Sequence, residues 1–314
     1  MENNGATVSL IMPVYNGETT ILKALESIWK NIDDFDELII INDASTDDTI
    51  ELLELSSRSA RIIGHEKNLG LARSYNDGIN MASGELIITI HQDVLLEKGA
   101  IKKIIEPFRD KKVVAASHSV IHPEEIWNKY NFWQKCFFAR KAGKKEKGID
   151  GKFDCFRRGA LLKAGLFDAK HFRSAGEDGD MVHRLKKIGQ VVGSEAEIIH
   201  VHKISPDFSW QDIIQKQKQY SEAQGTLLRL GRINGAKNIV RTFFREILIL
   251  ALLIPYLQLL SIVMIVVYSF WYTKKMFFLG WDKRLIILPA FNIYLLFISF
   301  IYSFKGFVYG RQRI

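Results

Sequence analysis

Apolar residues run almost unbroken over residues 8–14 and give way at Asn16-Gly17, which predicts a strand entering a turn. Over residues 19–29, Ile21, Leu22, Leu25, Ile28 and Trp29 recur at helical spacing. A second apolar run at 38–41 ends at Asn42-Asp43, and Ser45-Thr46-Asp47-Asp48 then offers N-cap chemistry for a helix. A third short strand, Ile62-Ile63, leads through Asn68-Leu69-Gly70 into a helical stretch over 71–82. A fourth, 86–90, ends at His91-Gln92-Asp93. Strands alternating with helices predict an α/β fold with a mostly parallel sheet flanked by helices, whose ligands bind at the carboxyl ends of the strands. Asn16, Asp43 and Asp93 each follow an apolar run, where that rule places a site.

Beyond Asp207 the pattern changes, so the expected organisation is a catalytic domain over 1–207, a juxtamembrane helical linker over 208–245, and a transmembrane hairpin with its tail over 246–314. Residues 210–230 read as a polar helix. Residues 247–272 and 285–304 then run without a charge for about the ~30 Å of a bilayer core each, which predicts two membrane-spanning helices. Pro255 and Pro289 lie inside these runs, as membrane helices tolerate. Arg241 and Arg245 before the first span, with Lys305, Arg311 and Arg313 at the end of the second, favour both ends on the cytoplasmic side, whereas Lys274, Lys275, Lys283 and Arg284 in the connecting loop pull the other way.

Composition sharpens this picture in two places. A mean hydropathy of zero is high for a soluble enzyme and reflects the apolar C-terminal end. The net charge of +8 favours an anionic partner such as acidic lipid or a phosphorylated small molecule. Two cysteines are too few for a disulfide framework and fit a reducing compartment, and the polar N-terminus lacks the pattern of a cleavable signal peptide. The expected location is therefore the cell membrane, multi-pass, with the catalytic domain cytoplasmic. Residues 127–141, Trp127-Asn-Lys-Tyr-Asn-Phe-Trp-Gln-Lys-Cys-Phe-Phe-Ala-Arg-Lys141, interleave aromatics with bases and read as an interfacial helix facing anionic membrane lipids. Base stacking on nucleic acid is the competing reading of such a stretch, and the apolar C-terminus favours the membrane over it.

By Asp93 the chain resembles the family-2 glycosyltransferases. The matching pieces are Ser9-Leu-Ile-Met-Pro-Val-Tyr-Asn16, Ile41-Asn-Asp-Ala-Ser-Thr-Asp47, Asn68-Leu-Gly-Leu-Ala-Arg73 with Ala82-Ser-Gly-Glu85, and His91-Gln-Asp93. Arg157-Arg158, Gly165-Leu-Phe-Asp168, Gly176-Glu-Asp178 and His200-Val-His202 follow in order. The resemblance implies a GT-A (Rossmann-like) fold, a nucleotide-sugar donor, and Mg²⁺ or Mn²⁺. Asp43 matches the position that contacts the nucleobase, with Pro13 and Tyr15 shaping that pocket. A guanidinium fork suits phosphate oxygens, which makes Arg73 a candidate for the donor diphosphate.

Asp93 is the leading metal ligand, because a hard carboxylate oxygen suits either ion, and the ion neutralises a leaving diphosphate. His91 stands where the family carries its first acid, which removes one negative charge from the donor site. His200 or His202 is expected to complete the coordination; the two alternate across a strand, so one of them faces the site. Asp178, paired with Glu177, is the candidate general base, since a sugar hydroxyl is a poor nucleophile until its proton is taken. Together these residues imply an inverting transfer to a hydroxyl of a lipid-linked or membrane-proximal glycan acceptor. Two alternatives stay open: a polyprenyl-phosphate glycosyltransferase, whose anionic acceptor needs no base, and a non-catalytic nucleotide-sugar-binding scaffold.

Overall fold

The computed structural model describes residues 6–56, 59–173, 175–201 and 205–312. They divide into two compact units, residues 1–123 with 143–203 and residues 124–142 with 204–314. The second unit thus unites an excursion from the first with the C-terminal helices, a different partition from three consecutive segments.

In the first unit the described residues form nine strands: β1 (Val8–Val14), β2 (Glu37–Asn42), β3 (Arg61–Gly64), β4 (Leu86–Ile90), β5 (Val94–Leu96), β6 (Val113–Ile121), β7 (Lys145–Gly148), β8 (Phe153–Arg157) and β9 (Gln190–His200). The helices, in chain order across both units, are α1 (Ile21–Trp29), α2 (Thr49–Ser56), α3 (Leu71–Met81), α4 (Ala100–Ile105), α5 (Glu124–Asn128), α6 (Phe132–Phe138), α7 (Arg158–Ala164) and α8 (Glu177–Leu185). They continue as α9 (Trp210–Arg229), α10 (Ala236–Thr242), α11 (Phe244–Ala251), α12 (Gln258–Trp271) and α13 (Leu288–Tyr309).

The sheet runs β3-β2-β1-β4-β8-β6-β9-β5, with β7 paired to β6. Its first four strands are parallel, as the alternating pattern predicts. Beyond β4 the expectation of a mostly parallel sheet is corrected: β8 pairs antiparallel with both β4 and β6, and β5 antiparallel with β9, so the sheet is mixed. β8 is not a sequential neighbour of β4, since β5, α4, β6, α5, α6 and β7 all lie between them in the chain.

Successive residues of β1 serve opposite cores. Val8, Leu10, Met12 and Val14 pack with α1, α2 and α4, whereas Ile11 packs with α3, α7 and α8. β2 and β4 divide in the same way, Leu38, Ile40, Leu86 and Ile88 against Ile39, Ile41 and Ile87. Burial on both faces is why these strands read as continuous apolar runs rather than alternating ones. The ladder from β1 to β4 ends at Ile11 opposite Thr89, while that to β2 continues to Val14 opposite Asn42. Pro13, buried and without an N–H to give, lies just past the end of the β4 ladder.

In the second unit, residues 127–141 form two short helices instead of one. The turn between α5 and α6 is closed by a capping box of Asn131 with Gln134. Trp127, Tyr130, Phe132 and Phe138 are buried in a core shared with Ile213, Ile214, Met276, Leu285 and Leu288, so most of the aromatic rings face protein interior. Arg140 and Arg284 each stack a guanidinium 4.1 Å from a ring centroid, over Tyr272 and Phe132. α13, extended by the turn that precedes it, is long and apolar enough to cross a membrane. The run at 247–272 is instead two helices, α11 and a second segment from Pro255 to Trp271, bent by 117°.

Candidate active site

The turn 91–93 is positioned by both of its flanking strands. β4 ends with Ile90 opposite Phe153, and the His91 N–H extends that ladder by donating to the Lys152 carbonyl at 3.0 Å. β5 pairs with β9 so that Val94 lies opposite His200, and the Val201 N–H donates to the Asp93 carbonyl at 2.8 Å. That register brings the Asp93 carboxylate Oδ2 to 3.0 Å from His200 Nε2. Two candidate metal ligands 107 residues apart thus meet because of strand pairing. His202 lies outside the described residues. Gln92 fixes the neighbouring strand end, accepting from the Tyr15 N–H at 2.8 Å and donating to the Tyr15 carbonyl at 3.0 Å. The Tyr15 ring is left 46% exposed.

His91 lies with its ring stacked on Tyr75, centroids 6.4 Å apart. Its Nε2 is buried without a hydrogen-bond partner among the described residues. Burial pushes its pKa down to about 4, so the ring is neutral at pH 7. Tyr75, fully buried on α3, donates from its hydroxyl to the Gly151 carbonyl at 2.9 Å.

Glu177 and Asp178 open α8, just after Gly176 in a left-handed conformation. Burial, reinforced by the charge of Asp178, raises the Glu177 pKa to about 8, and its Oε2 has no partner among the described residues. Burial also raises Asp178, to about 6, against the Gly179 N–H that donates to its Oδ1 at 2.6 Å. Both carboxyls are thus held above the ordinary carboxylate range, and the pair takes up its first proton nearer neutral pH than free carboxyls do.

Asp43 is engaged. Its carboxylate accepts from the Leu69 and Gly70 N–H groups at 2.7 and 2.8 Å and lies 2.8 Å from His65 Nδ1. His65 Nε2 in turn lies 3.2 Å from Asp77, which receives the Arg73 Nε–H at 2.9 Å. Arg73 and Asp43 are thus linked through His65 and Asp77, with Arg73 exposed. Gly70 (φ +89°) is tightly enclosed, since a Cβ there would stand 2.8 Å from the Arg173 carbonyl oxygen. The loops after β1 and β2 are laced together: the Asn16 N–H donates to Ser45 Oγ at 3.1 Å and the Thr46 N–H to Asn16 Oδ1 at 2.9 Å. Asn16 (φ 49°) and Ala44 (φ 60°) both adopt positive φ here, the uncommon backbone that clusters at functional loops.

A set of residues missed in the sequence supports the floor of the site. Buried His118 lies 3.0 Å from Asp154 and 3.4 Å from Asp150 through its two ring nitrogens. Asp154 also accepts from the Asp150 and Gly151 N–H groups at 3.1 and 2.7 Å. Lys152 pairs with Asp150; burial disfavours its charge, but Asp150 and the more distant Asp178 hold its pKa above the ordinary lysine value. Asp150, Lys152 and Asp154 recur at a spacing of two, a strand-like period that sequence inspection could have caught.

The donor chemistry at Asp93 and His200, one carboxylate oxygen and one imidazole nitrogen, suits Mn²⁺ better than Mg²⁺, which prefers oxygen throughout. His118, Asp150 and Asp154 also offer ligand atoms within 4.8 Å of one another. There the Lys152 ammonium and two backbone N–H groups already occupy the carboxylates.

Fold and site together define a glycosyltransferase of the GT-A type. The chain belongs to glycosyl transferase family 2, whose model matches residues 9–166. Among curated relatives, a poly-β-1,6-N-acetyl-D-glucosamine synthase of Staphylococcus epidermidis is 27% identical over 175 residues, 51% of this chain and 42% of that protein. A Rickettsia bellii protein described as an uncharacterized glycosyltransferase is 38% identical over 91 residues, 29% of this chain and 13% of that protein. The chain thus spans less than half the length of these relatives. Among solved structures, a mannosyltransferase from Pyrobaculum calidifontis in complex with GDP-Man and Mn²⁺ superposes with a TM-score of 0.59 at 15% identity, covering 98% of this chain and 88% of that one. GalNAc-T7 with UDP, GalNAc and Mn²⁺ follows at 0.57 and 12%, covering 79% and 51%. At these identities the likeness is one of fold.

Proposed function

We propose that this chain transfers a sugar, with inversion, from a nucleotide-sugar donor to a hydroxyl of a lipid-linked or membrane-proximal glycan acceptor. One observation carries the reading: the β5–β9 register brings the Asp93 carboxylate to 3.0 Å from His200 at the carboxyl end of β4, beside the 150–152 loop that the His91 N–H and the Tyr75 hydroxyl hold.

Asp93 with His200 would hold the divalent ion, which when bound supplies positive charge to the departing diphosphate. Tyr15 and the laced loops after β1 and β2 offer an open ring and a rigid wall for the nucleotide. Asp178 takes the acceptor hydroxyl proton on Oδ2 as that oxygen attacks the anomeric carbon, while Gly179 holds Oδ1. Glu177, protonated at neutral pH, keeps the second charge out of the pocket. Attack opposite the leaving group inverts the anomeric centre in a single displacement. The solved relatives' ligands, GDP-Man with Mn²⁺ in one and UDP with Mn²⁺ in another, support this choice of donor class and metal. The apolar helix α13 and the basic surface support membrane association.

The test is a donor screen with the purified full chain in detergent, with and without Mn²⁺, measuring released nucleoside diphosphate. Turnover of one donor that vanishes in Asp93→Ala is the expected result. Intact donor binding with no release from any common donor would replace the transferase by the scaffold reading.

A further inference from the structure

The helices of the C-terminal unit fall into two classes by what they expose. α12 buries Ser261, Ile265 and Ser269, one narrow stripe, and leaves Leu259 (76% exposed), Leu260, Ile262, Val263, Val266 and Val267 open. α13 buries Leu288, Leu295, Leu296 and Ile298 together with Asn292, Ser299, Ser303 and Gly306, and exposes Tyr294, Phe297, Ile301, Phe304 (62%) and Val308 along its whole length. Both differ from a water-soluble helix in that serine and asparagine lie among the residues they bury while aliphatic or aromatic side chains make up the outward face. α9 differs on its outward face: it buries Gln217, Ser221, Glu222 and Thr226 beside Ile213, Ile214 and Ala223, and exposes Gln211, Asp212, Gln215, Lys216 and Arg229 along with Trp210 and Tyr220.

α9 and α13 run parallel and in close contact. Ser221 Oγ donates to Ser299 Oγ at 3.1 Å, Thr226 Oγ1 to the Gly306 carbonyl at 3.4 Å, and Arg229 to the Phe307 carbonyl at 3.2 Å. A Cβ at Gly225 would run into the Ser303 carbonyl, and one at Gly306 into the Glu222 carbonyl, so the two backbones touch. The boundary between a lipid-facing and a water-facing surface therefore runs along these helices, between α9 and α13, rather than across them. A helix crossing a bilayer would carry that boundary at its ends.

The bent run points the same way. α11 has 8 residues and α12 has 14, rises of about 12 and 21 Å, each short of the ~30 Å hydrocarbon core. Their 117° bend keeps them from adding up to a span. The loop that follows α12 returns to the segment that enters this unit first: Lys275 pairs with Glu124, and Met276 and Leu285 share a core with Trp127 and Phe132. Glu124 and Trp127 precede every apolar run of span length, so they lie on the transferase domain's side of any membrane.

We propose that α11, α12 and α13 lie within a single leaflet as a monotopic anchor, with α9 at headgroup level. This rests on the membrane association proposed above and replaces the two-span hairpin with an insertion that crosses nothing. Lys237 and Arg241 on α10, exposed just ahead of the apolar helices, fit an anionic lipid surface.

Exposed single cysteines introduced as Lys111→Cys in the sheet unit, Lys283→Cys in the α12–α13 loop and Arg311→Cys after α13 test this in the full chain. Each is treated with a membrane-impermeant maleimide in inverted vesicles and in spheroplasts of expressing bacteria, with the wild-type chain as background. All three are expected to label in inverted vesicles and none in spheroplasts, each with a ratio near one before and after detergent. Labelling of Lys283→Cys or Arg311→Cys on the side opposite Lys111→Cys overturns the proposal while leaving membrane association intact. Recovery of the chain in the soluble fraction after carbonate washing, as a monomer or as a dimer closing the apolar face, would overturn both.

Discussion

Replacing Asp178 by Asn removes the one carboxylate in the acid pair that is ionised near neutral pH while keeping its shape. A positioned general base contributes about 10²- to 10⁴-fold, so kcat is expected to fall by that factor, about 3–5 kcal/mol of transition-state stabilisation. With Asp178 at about 6, roughly nine-tenths of it is ionised at pH 7 and roughly one-tenth at pH 5, so the wild-type rate should drop about tenfold between them. Glu177→Gln should behave differently. The wild-type side chain is already neutral at pH 7, so the rate should change less than about tenfold. Stability should respond instead. An acid whose folded-state pKa lies above its unfolded value stabilises fully below that unfolded value, near 4.5, and loses the contribution as pH rises toward 8. The Gln variant lacks this loss, so its Tm should match wild type at pH 5 and exceed it at pH 8. Nucleoside diphosphate release across pH 5–9, with thermal unfolding at both ends, measures all of this. Retention of more than about a tenth of kcat by Asp178→Asn would refute the base assignment and favour an anionic acceptor such as polyprenyl phosphate.

Asp93→Ala should cost at least about 10²-fold in activity at any Mn²⁺ concentration, whereas His200→Ala should shift the Mn²⁺ titration to higher concentration; metal titrations of both variants check this. Gly70→Ala, forced into positive φ against the Arg173 carbonyl, should lose about 1–3 kcal/mol in thermal unfolding and raise the donor KM while kcat is largely kept. Gly225→Ala must push α9 and α13 apart and should destabilise the detergent-solubilised protein by about 3 kcal/mol, with Leu228→Ala on the same helix as a milder control.

Of the first four strands, β1, β2 and β4 were legible because each is buried on both faces and ends at a polar turn, whereas the short, mostly exposed edge strand β3 showed only as Ile62-Ile63. Residues 8–14 and 86–90 fall on β1 and β4, and 71–82 on α3, within a residue. The strands from β6 to β9 were not legible in this way. β6 buries Ser117, His118 and Ser119 among its apolar residues, and β8 buries Asp154, so neither reads as an apolar run or as a clean alternation. Pairing satisfies these side chains: Asp154 has His118 and two backbone N–H groups, and Ser117 has the Val192 carbonyl. The two N–H groups are local to Asp154, but His118 and Asp154 lie 36 residues apart and Ser117 and Val192 lie 75 apart. The antiparallel half of the sheet was hidden for the same reason. The convergence of Asp93 with His200 depends on the β5–β9 register, which no local pattern encodes. Asp43 illustrates the opposite limit. Its place at a strand end was readable, but its engagement with Leu69, Gly70 and His65 depends on how α3 begins.

The same long-range support explains how histidine can stand at position 91. An acid there would add a negative charge beside Asp93 and leave Tyr75 without its stacked neighbour. The neutral ring packs flat on Tyr75, and the Tyr75 hydroxyl holds the Gly151 carbonyl, so the metal-side turn and the 150–152 loop are braced through one aromatic pair. That loop carries Lys152, whose ammonium is the positive charge that the acids Asp150, Asp154 and Asp178 share. On the proposed reading, an imidazole in place of a carboxylate at 91 would remove one negative charge beside Asp93. The stack also ties the position of Lys152 to the turn that carries Asp93, so if the proposed roles hold, a change in the Tyr75–His91 stack should reach donor binding and proton transfer together.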